Sequence, residues 1–239
     1  MRTLVMADVH GGYRGIIQAL ERADFNKETD RLISLGDIAD GWSETPECVD
    51  YLLSCKNLIA IRGNHDMWCR NWLMFGEVQR IWKNQGGANT IDAYDRVFTN
   101  LGFEARDVYM EKHTNFFKNQ ITHYVDHQNR GFVHGGFTSK KGLGHEAYES
   151  NYFWDRDLWS LALLSDGKEP VKGAESIRRF ERHSEIFVGH NTTLRHDTDK
   201  PMKKCNVWNL DTGGGYDGKI TVMDVNTKEY WQSDLMDEL

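Results

Sequence analysis

The sequence predicts an α/β fold, and two observations support this class. Three short apolar runs, at residues 4–7, 32–35 and 58–61, alternate with segments of helical periodicity, which is the pattern of parallel strands joined by helices. The composition is that of an ordinary globular protein, with 39% hydrophobic and 27% charged residues. A chain of 239 residues is also long enough to bury a substantial core.

The elements follow one another in a clear order. After the first strand, Ile16, Ile17 and Leu20 lie on one face of a helix, and the second strand leads to a helix that starts at Thr45-Pro46, since proline is favoured in a first helical turn. The third strand precedes a mostly helical insertion at about 67–118. Strand-like runs return at 120–125, 131–133, 186–188, 206–210 and 220–225. We expect one domain over residues 1–239.

Charge and cysteine usage exclude several classes of function. The net charge is −7, and stable nucleic-acid binding is not expected because such proteins carry a basic face. No apolar stretch approaches the length of a membrane span, and the first residues are too short an apolar run for a signal peptide. The sequence therefore predicts a cytoplasmic protein that does not bind membranes. The four cysteines form no C-x-x-C pair, and we expect free thiols: Cys48, Cys55, Cys69 and Cys205.

Side chains that commonly bind metals follow five of the apolar runs. Asp8 and His10 come after the first run, and we expect an extended segment there that directs both side chains the same way. Sites in α/β sheets form outside the carboxyl ends of the strands, so these side chains should converge on one edge. The candidate metal ligands are Asp8, His10, Asp37, Asn64, His134 and His190.

The chemistry of this set favours transition metals. It contains two carboxylates, one amide oxygen and three imidazoles but no thiolate, and mixed oxygen and nitrogen ligands suit manganese, iron or zinc better than calcium. Six protein ligands are too many for one catalytic ion with open positions, but they fit two ions that share a carboxylate. We expect two divalent ions per chain, with Mn²⁺ as first choice and iron or zinc as alternatives.

Five motifs in this order resemble those of the calcineurin-like metallophosphoesterases. The similarity extends from residue 4 to about residue 225 and is greatest to the phosphoprotein phosphatase branch, including its small bacterial and phage members. It implies an α-β-β-α sandwich, in which two packed mixed sheets are flanked by helices. The motifs are Asp8-Val9-His10-Gly11, Gly36-Asp37-Ile38-Ala39-Asp40, Gly63-Asn64-His65-Asp66, His134-Gly135-Gly136 and Gly189-His190.

The resemblance also implies a role for each residue. Asp37 would bridge the two metals, with Asp8 and His10 on the first; Asn64, which also contacts substrate, would complete the second with His134 and His190. His65 would be the general acid, and Asp40 would orient it and keep it protonated. A hydroxide shared by the metals would attack phosphorus in line, and His65 would protonate the departing oxygen.

Two departures from the family pattern bear on the substrate. Gly41 stands where the phosphoprotein phosphatases usually have a phosphate-binding arginine, and Asp66 stands where they usually have glutamate. Arg156 resembles a phosphate-binding arginine of small phage-type members, which requires the loop at about 142–157 to fold back over the site. Its alternative role is a surface ion pair with Asp155 or Asp157.

Three functional hypotheses follow. The first is a phosphomonoesterase of the serine/threonine protein phosphatase type acting on a phosphorylated substrate. The alternative is a nucleotide or dinucleotide polyphosphate hydrolase, or a phosphodiesterase that acts on nucleic-acid ends. The third is a scaffold that has lost catalysis, which the complete ligand set disfavours. The insertion tryptophans Trp68, Trp72 and Trp82 are expected either to line a substrate groove or to lie in the core.

Overall fold

The computed structural model describes residues 1–169 and 178–239, and the described residues form ten strands and eight α-helices. The strands are β1 (Thr3–Met6), β2 (Arg31–Ser34), β3 (Asn57–Ala60), β4 (His123–Val125), β5 (Arg130–Val133), β6 (Glu185–Val188), β7 (Met202–Lys204), β8 (Val207–Asn209), β9 (Thr221–Asp224) and β10 (Tyr230–Gln232). The helices are α1 (Tyr13–Arg22), α2 (Thr45–Ser54), α3 (Asn64–Phe75), α4 (Arg80–Trp82), α5 (Ala88–Thr99), α6 (Phe103–Asn119), α7 (Ser150–Trp154) and α8 (Asp157–Ser165).

The strands form two five-stranded mixed sheets. The first has the order β10-β9-β1-β2-β3, in which β1, β2 and β3 are parallel and β9 and β10 are antiparallel to their neighbours. The second has the order β4-β5-β6-β8-β7, in which β5, β6 and β8 are parallel and the edge strands are antiparallel. Each sheet therefore contains three adjacent parallel strands, at the centre of the second sheet and at one side of the first, and parallel strands have their carboxyl ends at the same edge.

Alternation along the strands explains why the two sheets pack face to face. In β1, Leu4 and Met6 belong to a core cluster shared with α1, α2, α3 and α6, whereas Val5 belongs to a second cluster. That second cluster also contains Phe132 of β5 and Phe187 of β6, whose rings stack with centroids 5.0 Å apart. Since successive side chains in a strand point to opposite faces, one face of each sheet meets the other sheet and the opposite face meets helices. The predicted α-β-β-α sandwich is confirmed.

The structure agrees with most of the predicted strands and adds elements that the sequence pattern did not reveal. The three-residue strands β7 and β10 and the helices α7 and α8 were not predicted. The run predicted at 120–125 forms a strand only from His123, while Ile121 makes an isolated bridge to Ile61. Helices α3 to α6 occupy the region of the proposed insertion, and the single-domain assignment stays a prediction. In the described ranges, no helix combines the length and apolar character that a membrane crossing needs. All four cysteines are free.

Candidate active site

The candidate site lies where the parallel strands of both sheets end. Asp8, Asp37 and Asn64 follow β1, β2 and β3, and His134 and His190 follow β5 and β6. A cavity of about 620 Å³ opens at this edge. Its walls include all of the predicted site residues except Asp40 and His134, both of which are fully buried. The expected convergence of the strand ends therefore occurs.

Strained backbone conformations direct these side chains into the site. Asp8 (φ 50), His10 (φ 46), Asp37 (φ 51) and His190 (φ 66) all adopt positive φ, which costs free energy for residues other than glycine and concentrates at functional sites. The expectation of an extended segment at Asp8 and His10 was wrong, because β1 ends at Met6. Two left-handed residues, rather than strand alternation, bring both side chains to the cavity.

Two glycines are required because carboxylates lie directly against the backbone. A Cβ on Gly63 would collide with Asp37 Oδ1, and a Cβ on Gly189 would collide with Asp8 Oδ2. The space is used for hydrogen bonds: the His65 amide donates to Asp37 Oδ1 at 2.9 Å, and the His190 amide donates to Asp8 Oδ1 at 3.0 Å. The two motif glycines thus leave room for backbone amides to hydrogen-bond both carboxylates.

Two groups of potential ligands share one carboxylate. His10, Asp37 and His65 form the first group, and Asp37, His134 and His190 form the second, with the ligand atoms of each group within 4.8 Å of one another. His65 stands in the first group where Asp8 was expected, since Asp8 is not among these clusters. Asp37 Oδ2 lies 3.7 Å from His10 Nε2 and 3.3 Å from His134 Nε2. Asp37 is therefore the one residue that belongs to both groups found among the described residues.

The contacts around His134 fit a bound cation. Its Nδ1 lies 3.0 Å from the Leu35 carbonyl oxygen, and because a carbonyl only accepts, Nδ1 carries the proton and Nε2 of the neutral ring has a lone pair. That Nε2 lies 3.1 Å from Asn64 Oδ1 and 3.2 Å from His190 Nδ1. Three atoms that can each coordinate a cation, His134 Nε2, Asn64 Oδ1 and His190 Nδ1, therefore meet at this point. The donor set fits a divalent metal.

Asp211 is a further acidic residue at this edge. It follows β8, lies 5% exposed and lines the cavity. Burial raises the pKa of Asp211 to about 6, and burial together with the charges of Asp211 and Asp37 raises the pKa of Asp8 well above its usual range. The run at 206–210 that ends in Asp211-Thr212-Gly213 carries the same strand-end signal as the other motifs. Asp211 was not among the site residues predicted from the sequence.

His65 and Asp40 form a buried pair beside Asp37. His65 Nδ1 lies 2.7 Å from Asp40 Oδ2, and Asp40 is fully buried. Burial alone would lower the pKa of His65, but the carboxylates of Asp37 and Asp40 stabilise the imidazolium and raise that pKa to about 9. With Nδ1 directed at Asp40, the other ring nitrogen is free to donate a proton elsewhere.

Two arginines also line the cavity. Arg156 Nη1 donates to the His190 carbonyl at 2.8 Å and to Asn191 Oδ1 at 2.9 Å, and Arg195 lines the same cavity. The ion pair considered for Arg156 is not formed in the described part of the chain, where Asp155 pairs with Arg179 at 3.4 Å. Of the segment at about 142–157 that was expected to fold back over the site, Trp154 and Arg156 line the cavity.

The missing family arginine has a steric explanation. Gly41 has φ 74, a Cβ there would meet the Cβ of His10 at 2.9 Å, and the backbone of Gly86 packs directly on Gly41. No side chain fits at this position. Asn84, Gln85 and Gly86 line the cavity here instead. Of the two alternatives expected for the insertion tryptophans, the core position fits the structure. They do not line the cavity, Trp68 and Trp82 are buried, and Trp72 is half-buried against the same core cluster.

The second departure, Asp66, supports the backbone around the site. Its Oδ1 accepts from the Ile38 amide at 2.8 Å, and its Oδ2 accepts from the Gly63 amide at 3.1 Å and from Gln120 Nε2 at 2.9 Å. Arg62 donates to the Gln120 carbonyl at 2.9 Å. Asp66 and Arg62 stabilise the backbone near the site through these hydrogen bonds and do not line the cavity.

Comparisons with known proteins identify the family. The family model for calcineurin-like phosphoesterases matches residues 1–207, so the chain belongs to this family and is a phosphoester hydrolase. A symmetrical bis(5'-nucleosyl)-tetraphosphatase of Pseudomonas fluorescens SBW25 is 25% identical, with 96% of this chain and 93% of the relative covered. The corresponding protein of Pseudomonas syringae pv. syringae B728a is also 25% identical, with 97% and 91% covered.

Solved structures show the same fold. A crystal structure described provisionally as a diadenosine tetraphosphatase has a TM-score of 0.64 at 13% identity, with 97% of this chain and 92% of that chain covered. A serine/threonine phosphatase of Saccharomyces cerevisiae has a TM-score of 0.55 at 13% identity, with 98% and 79% covered. The recognition of the family from its motifs is confirmed. At these identities the structures establish the fold alone.

Proposed function

We propose that this chain hydrolyses phosphate esters and anhydrides by direct in-line attack at a centre of two divalent metals. The observation that carries the proposal is the position of Asp37, which belongs to both ligand groups. Asp8, His10 and Asp37 would hold one ion, and Asp37, Asn64, His134 and His190 the other. When bound, the ions would supply a nucleophile at neutral pH and offset negative charge on the phosphoryl oxygens.

The chain's own residues supply the remaining functions. His65, held through Nδ1 by Asp40, is the general acid that protonates the departing oxygen. Arg156 has its Nη1 engaged by protein acceptors, while Nη2 and Nε have no hydrogen-bond partner among the described residues. A guanidinium binds two oxygens at once and keeps its charge, so Arg156 is the candidate contact for the non-bridging phosphoryl oxygens.

Metal content tests the centre directly. Gently purified protein saturated with Mn²⁺, Fe²⁺ or Zn²⁺ should bind about two ions per chain, as in other two-metal hydrolases. Asp37→Ala should bind neither ion tightly, because both groups lose their shared carboxylate, whereas Asp237→Ala, at an exposed position far along the chain, should bind both. A saturated protein with a single ion would rule out the two-metal proposal.

A dinucleoside polyphosphate is the first candidate substrate. The full-length relatives are named for such an activity, and the cavity carries two arginines, Arg156 and Arg195. Arg195 forms no ion pair within the described residues, so it is available to a second phosphate. This reverses the order of the two hypotheses drawn from the sequence. A phosphomonoester remains the second candidate, since the pair of His65 and Asp40 favours a leaving oxygen that needs a proton.

A substrate panel separates the two candidates. Diadenosine tetraphosphate, a phosphoserine peptide and bis-p-nitrophenyl phosphate are compared with manganese present. For a polyphosphate hydrolase, Arg195→Ala should raise the KM for diadenosine tetraphosphate on the order of tenfold, as expected for a lost charge-assisted hydrogen bond, and leave the small aryl ester unaffected. Higher kcat/KM for the peptide, with no effect of Arg195→Ala on any substrate, would favour the monoesterase.

A further inference from the structure

The carboxylate of Asp40 is held by the helical insertion as well as by His65. Trp82 Nε1, in α4, donates to Asp40 Oδ1 at 2.9 Å and Oδ2 at 2.8 Å. Thr90 Oγ1, in α5, donates to Asp40 Oδ1 at 2.9 Å. Both side chains and Asp40 itself are fully buried. Three different groups therefore bind this one carboxylate, and two of them come from the insertion.

The backbone of Asp40 depends on the same insertion. Asp40 has φ 76, a conformation that an aspartate adopts at a cost and keeps only where its surroundings impose it. Its amide donates to Thr90 Oγ1 at 2.9 Å, so the one hydroxyl of Thr90 contacts both the backbone and the carboxylate. Asn89 donates to the carbonyl of Gly41, the residue that follows Asp40. The insertion thus fixes the position and the direction of Asp40.

We infer that Trp82 and Thr90 are positioning residues for the acid step, which makes the helical insertion part of the catalytic machinery. They hold the Asp40 carboxylate in the orientation that directs the His65 ring towards the departing oxygen. This inference rests on the proposed role of His65 as general acid. A carboxylate bound by a single partner could rotate about its χ angles, and a general acid must stay within hydrogen-bond reach of its target.

Two conservative substitutions remove these contacts. Trp82→Phe deletes the indole N–H and keeps an aromatic ring in the same core. Thr90→Val keeps the shape and deletes the hydroxyl, while Thr90→Ser restores a hydroxyl. Trp72→Phe is the matched control, because Trp72 packs against Trp82 with ring centroids 5.9 Å apart but makes no hydrogen bond to Asp40 among the described residues. Thermal unfolding and metal content are measured for every variant.

The readout is the dependence of kcat on the leaving group. With phenyl phosphate, whose departing oxygen needs a proton, Trp82→Phe and Thr90→Val should each lose about tenfold in kcat, a fraction of what a complete general acid contributes. With p-nitrophenyl phosphate the loss should be less than about twofold, by the same argument. Thr90→Ser should recover most of the loss, and Trp72→Phe should behave as wild type with both esters.

The outcomes separate this inference from the function on which it rests. Equal losses with both esters, or no loss with either, in Trp82→Phe and Thr90→Val would overturn the positioning role. If Trp82→Phe does not fold, the pair Thr90→Val and Thr90→Ser decides alone. His65→Asn serves as the reference: if it too shows no dependence on the leaving group, the proposed acid is wrong. In the NMR spectrum, the exchange-protected His65 Nδ1–H should broaden in Trp82→Phe and stay sharp in Trp72→Phe.

Discussion

The two walls of the cavity are built differently. On the side next to the insertion, His65 lines the cavity and Asp40, Trp82 and Thr90 lie fully buried behind it, and the hydrogen bonds within this group measure 2.7–2.9 Å. On another part of the wall, Arg156 is exposed and keeps unused donors, and Trp154 is 40% exposed. We call these the acid wall and the anion wall.

This contrast separates chemistry from specificity. Groups on the acid wall are held by several contacts from two parts of the chain, so a change there disturbs geometry that the reaction needs in every substrate. Groups on the anion wall contact solvent and have spare hydrogen-bonding capacity, so a change there alters which anion is bound. We expect substitutions on the acid wall to change kcat most and those on the anion wall to change KM as well.

The largest effect on turnover is expected for His65→Asn. Asparagine cannot donate a proton to a departing alkoxide, so kcat should fall on the order of a hundredfold or more with phenyl phosphate and less with p-nitrophenyl phosphate. Steady-state kinetics on both esters, with elemental analysis of the metals, checks this. Because His65 also belongs to the first ligand group, loss of one ion in the variant would make it a metal ligand and contradict the acid role.

An intermediate effect is expected for Arg156→Ala. Removal of a guanidinium that contacts the phosphoryl oxygens should lower kcat/KM on the order of ten- to a hundredfold, with the metal content unchanged. Arg156→Lys should recover only part of this, because an ammonium does not make the bidentate contact. Arg22→Ala removes an arginine of the surface pair with Asp234 and serves as the control.

A structure with phosphate or sulfate in the cavity tests the role of Arg156 on the anion wall directly. Arg156 should contact the anion through Nη2 or Nε, since Nη1 is engaged by the His190 carbonyl and Asn191. If Arg195 alone binds the anion and Arg156 is directed away from it, the proposed phosphate contact of Arg156 is wrong. Such a result would leave the metal centre as proposed.

The sequence predicted the parts of the site that depend on local signals. Each of Asp37, Asn64 and His190 directly follows a glycine at the end of an apolar run, and the structure shows that a Cβ on the glycine beside a carboxylate would collide with it. The pairs of glycine and ligand are visible within a few residues of sequence, although the colliding carboxylates, Asp37 for Gly63 and Asp8 for Gly189, lie far away in the chain. Asp211 also follows an apolar run, but Leu210 rather than a glycine precedes it, so the glycine signal does not mark it.

Contacts between distant segments were not predictable in the same manner. Trp82 and Thr90 are 42 and 50 residues from Asp40, and nothing in the helical pattern of the insertion distinguishes them from core residues. The positive φ of Asp8 and His10 was also missed, because alternating polar residues after an apolar run match an extended strand equally well. Tertiary packing decided both features.

The smallest effect on turnover is expected at His113, which supports the insertion behind the acid wall. It is fully buried, with Nδ1 2.8 Å from the Tyr94 hydroxyl and Nε2 3.2 Å from Asp50. Burial lowers the pKa of His113 from 6.5 to about 4, so the folded protein holds it neutral while the unfolded chain binds a proton below about pH 6.5. Stability from this group is therefore present above pH 6.5 and is lost as the pH falls towards 4, by up to about 3 kcal/mol.

His113→Gln should make the fall in unfolding free energy over this window shallower in urea titrations, and leave kcat at pH 7.5 unchanged. His145→Gln, at an exposed position, is the control and should retain the wild-type pH dependence of the unfolding free energy. If His113→Gln also retains it, the buried neutral imidazole of His113 is not the source of that pH dependence.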